Sequence, residues 1–281
     1  MLSYRHAFHA GNHADVLKHL VLVHMARHLA QKDKAFWYID THAGAGSYVL
    51  DSPAAAKLAE HREGIGRLWL RKDLPAAVGD YVDLVRLANP DGRLRIYPGS
   101  PTFARCTLRA QDRLRLCELH SREVLRLREN FSAYSRQVVV EEADGFAALK
   151  GLLPPPPRRA LVLIDPPYEE RRDYERVVLA LKDALQRFAG GSYLLWYPLL
   201  SKLEAHELPA RLRRLPAARW LHVSLRVRTP AADGFGMHGS GLFVINPPWT
   251  LQAMLEESLP WLRQVLAVDA GAAFTLEGEA P

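Results

Sequence analysis

The segment best suited to chemistry is an apolar run that ends in an acid, two prolines and a tyrosine. Residues 161–164 have the composition of a buried parallel strand, and Asp165, Pro166, Pro167 and Tyr168 follow directly. In an open α/β sheet, ligands bind beyond the carboxyl ends of the strands, so this tetrapeptide should stand at the rim of a cleft. Proline restricts its own backbone and that of the preceding residue, which fixes the oxygens of Asp165 and Pro166. We expect those oxygens to accept hydrogen bonds from an amino group, while Tyr168 offers a stacking face to a planar base.

This arrangement suits methylation of an exocyclic amine. The lone pair of such an amine is delocalised into its ring, and two acceptors on the N–H groups redirect it toward a methyl donor. The tetrapeptide resembles the Asp-Pro-Pro-Tyr motif of amino-methyltransferases that modify adenine N6. The resemblance implies S-adenosyl-L-methionine as the donor and S-adenosyl-L-homocysteine as the product. The alternative is a strand that ends in an Asp-Pro turn with an incidental tyrosine.

A glycine-bearing loop after the first predicted strand indicates a second ligand contact. Glycines such as Gly44 let the backbone approach a ligand closely, and Asp40 at the strand end can engage polar groups of a cofactor. The loop lacks the third glycine of the dinucleotide fingerprint, which argues against a nicotinamide enzyme. Together with the Asp-Pro-Pro-Tyr strand, it is similar to the methionine-binding loop of S-adenosylmethionine enzymes. A tight strand-to-helix turn without a ligand stays the alternative.

Two further acids follow predicted strands at positions suited to an adenosyl cofactor. Glu118 can accept hydrogen bonds from both ribose hydroxyls, and Asp144, with Gly145 beside it, is placed to bind the adenine ring. Either acid alone is more often a solvated strand end. Because both stand at successive strand ends of one fold, the sequence favours cofactor binding.

A similar Asn-Pro-Pro-Trp sequence, residues 246–249, follows the last predicted strand. In the methyltransferase fold that the chain resembles, this strand runs antiparallel, which puts its carboxyl end away from the cofactor cleft. We therefore expect a proline turn into the final helix, with Trp249 packed against the core.

The elements that must position these segments form an α/β fold with a mostly parallel sheet, because short β-rich runs alternate with helical periods. Seven strands are predicted: Phe36 to Asp40, Leu114 to Glu118, Gln137 to Glu142, Ala160 to Asp165, Ser192 to Pro198, Trp220 to Arg228 and Gly241 to Asn246. Helical periods cover residues 121–131, 173–188 and 251–266, the last with a kink at Pro260.

One domain is predicted over residues 1–281, with an insertion. From about residue 52 to residue 95 the chain is helical and charged without a convincing strand, and we interpret it as a small helical insertion subdomain. The last dozen residues, rich in alanine and glycine, are expected to fray.

The composition of the chain argues against a membrane protein and against a disulfide-rich one. The chain has 281 residues, 48% hydrophobic and 24% charged, and it has no apolar run of the roughly 18 to 20 residues that a membrane span needs. No signal-peptide pattern is evident, so we expect a soluble, cytoplasmic protein without a membrane partner. Cys106 and Cys117 suit neither a disulfide framework nor a thiolate metal site, and we expect reduced core thiols. The net charge of +6 favours an anionic partner such as nucleic acid.

The first nineteen residues hold four of the twelve histidines. They do not indicate a metal site, because Gly11 separates His9 from His13 and no further set of ligands is clear. Instead, Tyr4 to His19, with residues 40–46, 97–101 and 165–168, closely resembles the RlmJ family, the bacterial 23S ribosomal RNA adenine-N6 methyltransferases.

This resemblance runs along nearly the whole chain and implies a Rossmann-like class I S-adenosylmethionine-dependent methyltransferase fold, without a metal. It implies that Asp165 is the catalytic acceptor, that Tyr4 orders the target adenine and that Lys18 lies close to the cofactor's carboxylate. The implied contacts to S-adenosylmethionine come from His19, His42, Ser100, Glu118, Asp144, Gly145 and Asp165. The family also favours a monomer and 23S ribosomal RNA as the partner.

Contacts to RNA phosphates are expected from arginines at the mouth of the cleft. Arg5, Arg171 and Arg172 are the first candidates, and ordinary solvated charge is their alternative.

Three other functions are less consistent with the sequence. A DNA adenine-N6 methyltransferase generally needs a sizeable target-recognition domain, and the insertion of about 45 residues is all that this chain can spare. A protein-glutamine methyltransferase uses a similar motif that begins more often with Asn. A non-catalytic RNA-binding factor with the same fold is disfavoured by the intact Asp165 and cofactor loop.

Overall fold

The computed structural model describes residues 6–279, and its central feature is an eight-stranded sheet beside a small two-stranded one. In chain order the strands are Trp37–Asp40 (β1), Ser47–Val49 (β2), Ile96–Pro98 (β3), Arg113–Glu118 (β4), Val138–Glu142 (β5), Ala160–Ile164 (β6), Ser192–Leu199 (β7), Trp220–Arg226 (β8), Gly239–Ile245 (β9) and Ala273–Glu279 (β10). The α-helices are His13–Ala30 (α1), Pro53–Leu58 (α2), Ile65–Leu68 (α3), Ala76–Leu87 (α4), Ser100–Thr107 (α5), Ser121–Phe131 (α6), Gly145–Leu152 (α7), Arg171–Arg187 (α8), Leu203–Arg213 (α9) and Leu251–Leu266 (α10).

The large sheet has the order β10-β8-β9-β7-β6-β1-β4-β5. The five strands from β7 to β5 run parallel, so their carboxyl ends meet at one edge. Strand β9 lies antiparallel between β7 and β8. This confirms the Rossmann-like class I methyltransferase fold, including the reversed strand whose carboxyl end points away from the cleft.

Two apolar layers cover the sheet because side chains of a strand alternate between its faces. Tyr38 packs in the layer that contains α1, α4, α5 and α10, while its neighbour Ile39 packs in the layer that contains α7, α8 and α9. All five residues of β6 are buried, as expected for a parallel strand with helices on both sides. The central strands are therefore fixed in the middle of the core.

Helix α1 is a largely buried element, with fourteen of its eighteen residues shielded from solvent. Asn12 caps its start by accepting hydrogen bonds from the N–H groups of Ala14 and Asp15, both at 3.0 Å. A helix that is buried on most sides has no one-sided apolar stripe. This helix brings Lys18 and His19 to the carboxyl edge of the sheet.

The helical region predicted for residues 52–95 consists of α2, α3 and α4, and the small sheet of β2 and β3 flanks it. Ile65 and Leu68 of α3, with Tyr81 and Val85 of α4, belong to the same apolar cluster as α1. The insertion thus extends the main core on the α1 side.

The sheet has one strand more than the seven predicted. Residues 273–279 form β10, which pairs antiparallel with β8 over its full length, so the expected fraying of this segment was wrong. Phe274 and Leu276 pack against the main core, and this burial outweighs the weak strand preference of the surrounding alanine and glycine. The other predicted strands and helices agree with the structure to within two residues at each end.

Two side chains predicted to be in the core are exposed. Trp249 is 72% exposed because it stands at the turn that leads into α10, outside the apolar layer. Cys106 is also exposed, whereas Cys117 is buried as expected.

Helix α10 continues through Pro260. Among residues 6–279, none of the helices combines the length and the apolar character that a bilayer crossing requires.

Asn89 fastens the end of the insertion to β3, and we predict that its loss destabilises the protein. Its side chain donates to Val85 O and Ile96 O at 2.8 and 2.7 Å and accepts from the N–H groups of Arg95 and Ile96, both at 2.9 Å. Asn89→Ala should lower the free energy of unfolding by about 2 to 4 kcal/mol, since each buried polar group left unpaired costs about 1 to 3 kcal/mol. Urea denaturation measures this, and the control is Gln252→Ala, which removes only a solvent-exposed hydrogen bond to Glu256. Equal losses in both variants would contradict the prediction.

Candidate active site

A cavity of about 720 Å³ opens at the carboxyl edge of the parallel strands. This volume lies within the range of about 300 to 1,000 Å³ that is usual for ligand sites. The predicted site residues on its wall are Lys18, His19, His42, Gly44, Ser100, Glu118, Asp144, Gly145, Asp165, Pro166, Tyr168 and Arg172. The fold thus brings most of the predicted residues together, although they come from separate parts of the chain.

A buried ion pair joins α1 to the residue that follows β6. Lys18 Nζ lies 2.6 Å from Asp165 Oδ2 and 2.9 Å from Asp15 Oδ1, and the Lys18 side chain is only 4% exposed. Burial alone lowers the pKa of Lys18, but the two carboxylates outweigh it and raise the pKa above its ordinary value. Lys18 is therefore a fixed cation that holds one oxygen of Asp165.

Asp15 is a site residue that the sequence analysis missed. Its carboxylate accepts the Gly11 N–H at 2.8 Å and lies 2.9 Å from His6 Nε2, in addition to Lys18. Burial raises its pKa, but His6 and Lys18 outweigh that effect and hold the pKa of Asp15 well below its usual range. The only signal in the sequence is the spacing of three between Asp15 and Lys18, which places both on one face of a helix.

Asp40 lies beneath the cavity and is not on its wall. It accepts hydrogen bonds from Tyr38 Oη and Ser100 Oγ, both at 2.7 Å, and from the His42 N–H at 3.2 Å. Burial raises the pKa of Asp40 to about 6. In this structure Asp40 positions Ser100 and His42, and its direct contact to the cofactor stays a prediction.

The loop after β1 is held against Glu118. Gly44 has φ +59° and donates its N–H to Glu118 Oε2 at 2.8 Å, while Oε1 accepts from the His120 N–H at 2.7 Å. A side chain at Gly44 would lie 2.1 Å from Tyr48 Oη. Burial raises the pKa of Glu118. Each carboxylate oxygen keeps a further lone pair for hydroxyl donors in the cavity.

Asp144 caps α7, since it accepts the Phe146 N–H at 3.0 Å, and its other oxygen pairs with Arg176. The His42 ring stands edge-on to Phe146, with centroids 4.9 Å apart. Burial lowers the pKa of His42 to about 3, so this imidazole is neutral at physiological pH. The three side chains Asp144, His42 and Phe146 together form one end of the cavity.

His19 is buried beside the insertion, where its Nδ1 lies 2.8 Å from Tyr97 Oη. Burial lowers its pKa well below the ordinary value, so His19 is also neutral.

Tyr168 lines the cavity with little of its surface exposed. It has φ +51°, a strained value for a residue other than glycine, and its side chain is 3% exposed. Its hydroxyl donates to Trp196 O at 2.8 Å, and its ring packs 4.7 Å from the Tyr174 ring. Trp196 also lines the cavity. It was not predicted from the sequence, because a tryptophan inside a strand is usually a core residue.

Two of the three arginines predicted to contact RNA phosphates lie within the described residues. Arg172 lines the cavity and pairs with Glu170, whereas Arg171 pairs with Glu204 and is not on the cavity wall. Tyr4 and Arg5 lie outside the described residues.

No group of three or more potential metal ligands comes together within residues 6–279. His9 Nδ1 lies 3.0 Å from Glu60 Oε1, and His13 is buried at the start of α1.

Comparisons with known proteins agree on one family. The family described as Ribosomal RNA large subunit methyltransferase D, RlmJ, matches residues 33–276. A protein of Escherichia coli named Ribosomal RNA large subunit methyltransferase J is 49% identical over 271 residues, which cover 96% of each chain. A protein of Haemophilus influenzae with the same name is 45% identical over the whole of both chains. A crystal structure of a Legionella pneumophila protein is 36% identical, covers 96% of this chain and 98% of its own, and superposes with a TM-score of 0.88.

Two glycines of α7 provide a matched test of the close packing at the cavity. A Cβ at Gly145 would lie 1.9 Å from Thr41 O, whereas a Cβ at Gly151 meets nothing within 4 Å. Gly145→Ala should therefore lower the free energy of unfolding by about 1 to 3 kcal/mol through overpacking. Gly151→Ala should leave it unchanged or raise it by up to about 1 kcal/mol. Urea denaturation of both variants checks the difference, and equal stabilities would disprove the packing account.

Proposed function

Because this chain belongs to the family of ribosomal RNA large subunit methyltransferases described as RlmJ, we propose that it transfers a methyl group from S-adenosyl-L-methionine to the N6 amine of a specific adenine in 23S ribosomal RNA. The observation that carries the adenine assignment is the position of Asp165, Pro166 and Tyr168 on the wall of the cavity at the end of β6. Membership of the family supports a ribosomal RNA methyltransferase, and this site supports an aromatic amine as the acceptor.

The cavity wall fits an adenosyl cofactor. Glu118 presents carboxylate oxygens that suit the ribose hydroxyls, and Gly44 beside it on the cavity wall has no side chain. We assign His42, Asp144 and Gly145 to the adenine end. Asp144 can contribute there only in part, because the α7 cap and Arg176 already engage its oxygens. When bound, the cofactor supplies an electrophilic methyl group.

The target adenine has to leave its stack in the RNA to reach the cavity. We propose that its N6 amine then donates one hydrogen bond to Asp165 Oδ1 and another to the carbonyl of Pro166. Asp165 Oδ2 is already held by Lys18 at 2.6 Å, so the carboxylate cannot rotate away from the amine. Tyr168 and Trp196 form the aromatic wall, with ring centroids 6.0 Å apart.

Bound S-adenosylmethionine would supply the methyl group to the N6 lone pair, and S-adenosylhomocysteine would be the leaving product. A neutral aromatic amine is a weak acid, so its proton leaves only as the N–C bond forms. Asp165 orients the amine early and accepts the proton late, which makes positioning and charge stabilisation the main sources of rate.

Duplex DNA is the nearest alternative substrate. Of the three helices at residues 53–87, α3 and α4 share the main core, so this region offers no separate domain for reading a duplex. A monomeric, cytoplasmic enzyme stays our prediction.

Removal of the acceptor carboxylate tests the proposed function. Asp165→Asn and Asp165→Ala should lower the turnover number for labelled methyl transfer to 23S RNA by about 100-fold or more, the usual effect of losing one stabilising group. The dissociation constant of the cofactor, measured by calorimetry, should rise by a much smaller factor than the turnover number falls, although Asp165 also pairs with Lys18. The control is Asp183→Asn, a partly exposed carboxylate of α8 that lies outside the cavity and pairs with Arg187. Turnover near that of the wild type with unchanged cofactor affinity would refute the assignment of Asp165.

The arginines near the cavity mouth should contribute to the salt dependence of RNA binding. Replacement of Arg171 and Arg172 by alanine should flatten the slope of log K against log salt concentration by about 1 to 2, because each phosphate contact contributes about 0.9. The matched control replaces Lys182 and Arg187 at the other end of α8. If the two double variants have the same slope, these arginines do not contact phosphates.

A further inference from the structure

A basic surface lies at the amino ends of the parallel strands, on the edge of the sheet opposite the cavity. Four segments meet there: residues 32–36 before β1, 109–115 at the start of β4, 136–137 before β5 and 158–159 before β6. Parallel strands place all of their amino ends at one edge. The cations of these segments, which we name the amino-edge cluster, are Lys32, Lys34, Arg109, Arg113, Arg115, Arg136, Arg158 and Arg159.

Hydrogen bonds between the segments make this surface continuous. Arg109 Nη1 donates to Lys32 O at 2.6 Å, and Gln137 Nε2 donates to Arg109 O at 2.6 Å. Arg159 donates to Lys34 O and, at 2.8 Å, to Leu29 O. The amino-edge cluster is therefore held together by the fold and is not a chance meeting of mobile side chains.

The positive charge of the amino-edge cluster is largely uncompensated. The same segments contain two acids, Asp33 and Asp112, and Asp112 is fully buried, where it pairs with Arg109 at 3.0 Å. Burial lowers the pKa of Arg159, and repulsion from Arg109 lowers it further. The pKa of His28 is lowered in the same way, first by burial and then by Lys32 and Arg159. These cations repel each other, and an external polyanion would relieve that repulsion.

We propose that the amino-edge cluster is a second RNA-docking surface, which binds backbone phosphates of the RNA substrate at a distance from the target adenine. This inference rests on the proposed function, because it takes the polyanion to be the RNA that the enzyme methylates. Lys32, Lys34, Arg136 and Arg158 are exposed, so their charged groups can reach phosphates. Arg109 and Arg159 donate to backbone carbonyls and fix the shape of the surface.

The dimensions of the surface favour a run of phosphates over a single anion. Strands β6, β1, β4 and β5 are neighbours in the sheet. At about 4.8 Å between strands, their amino ends extend over about 14 Å. The five residues of β6 separate this edge from the cavity by about 16 Å at 3.3 Å per residue. Phosphates bound there belong to a segment of RNA other than the nucleotide in the cavity.

Such contacts would supply affinity and orientation without reading sequence, since phosphates are the same at every position. The amino-edge cluster should therefore affect the KM for RNA much more than the turnover number. A role in the chemical step would affect the turnover number instead.

The test removes four exposed charges that make no side-chain hydrogen bond or ion pair described within residues 6–279. The cluster variant carries Lys32→Gln, Lys34→Gln, Arg136→Gln and Arg158→Gln. The control variant removes four exposed charges away from the amino ends of β1, β4, β5 and β6 and carries Lys72→Gln, Arg93→Gln, Arg214→Gln and Arg263→Gln. Both variants lose the same net charge. Fluorescence anisotropy with a 23S RNA transcript over a series of KCl concentrations gives the binding constant, and labelled methyl transfer gives KM and turnover number.

We expect the cluster variant to bind the transcript about tenfold or more weakly at low salt, with a salt slope flatter by about 2 to 4, as the loss of several phosphate contacts requires. Its KM for RNA should rise to a similar extent, while its turnover number and cofactor affinity match the wild type. The control variant should show at most a small part of the change in binding. Equal binding constants and equal salt slopes for the two variants would overturn the proposal.

The same data distinguish this proposal from the proposed function. If the wild type transfers no methyl group to any RNA but the cluster variant still loses salt-dependent binding, the proposed function is wrong and the docking surface stands. If the wild type methylates RNA and the cluster variant binds and reacts as the control does, the proposed function stands and the docking surface is wrong.

Discussion

The burial of Lys18 between two carboxylates is the interaction on which the active site depends. A cation that is removed from water is tolerated only when it is paired and hydrogen-bonded, so Asp15 and Asp165 must both remain in place. Asp15 belongs to α1 and Asp165 follows β6, so the pair fixes the helix to the strand end. The carboxylate of Asp165, which we propose as the acceptor, is thereby oriented before any substrate arrives. Asp40 lies below the cavity, where its hydrogen bonds hold Ser100 and the His42 N–H of the loop after β1.

Because the central strands run parallel, the two edges of the sheet differ in their loops and in their charge. The carboxyl edge carries loops that leave the core, and the cavity with its acids and aromatic rings is built from them. The amino edge carries short connections, and lysines and arginines accumulate there with few acids to neutralise them. In our account the first edge holds the reacting groups and the second holds the RNA backbone. On this proposal, one parallel sheet provides both a chemical site and a docking site.

The sequence predicted the parts of the site that follow directly from strand ends. Glu118, Asp165 and Gly145 stand where a parallel sheet puts its carboxyl ends, and they line one cavity. The sequence did not predict Asp15, because a helix buried on most sides lacks the periodic pattern that marks a surface helix. Nor did it show that Asp40 lies below the cavity, since strand ends alone do not tell which of a strand's two faces a terminal side chain takes. Fraying was expected for residues 273–279 from their local composition, but they form β10 because the packing of Phe274 and Leu276 against the core outweighs that composition.

The most direct test of the central claim is the identity of the methylated nucleoside. Wild-type protein is incubated with labelled S-adenosylmethionine and either protein-free 23S RNA, assembled ribosomes or duplex DNA, and the nucleic acid is digested and analysed by mass spectrometry. The account predicts N6-methyladenosine from ribosomal RNA and no label in DNA. A label on another nucleoside, or N6-methyladenine from DNA with none from RNA, would contradict it.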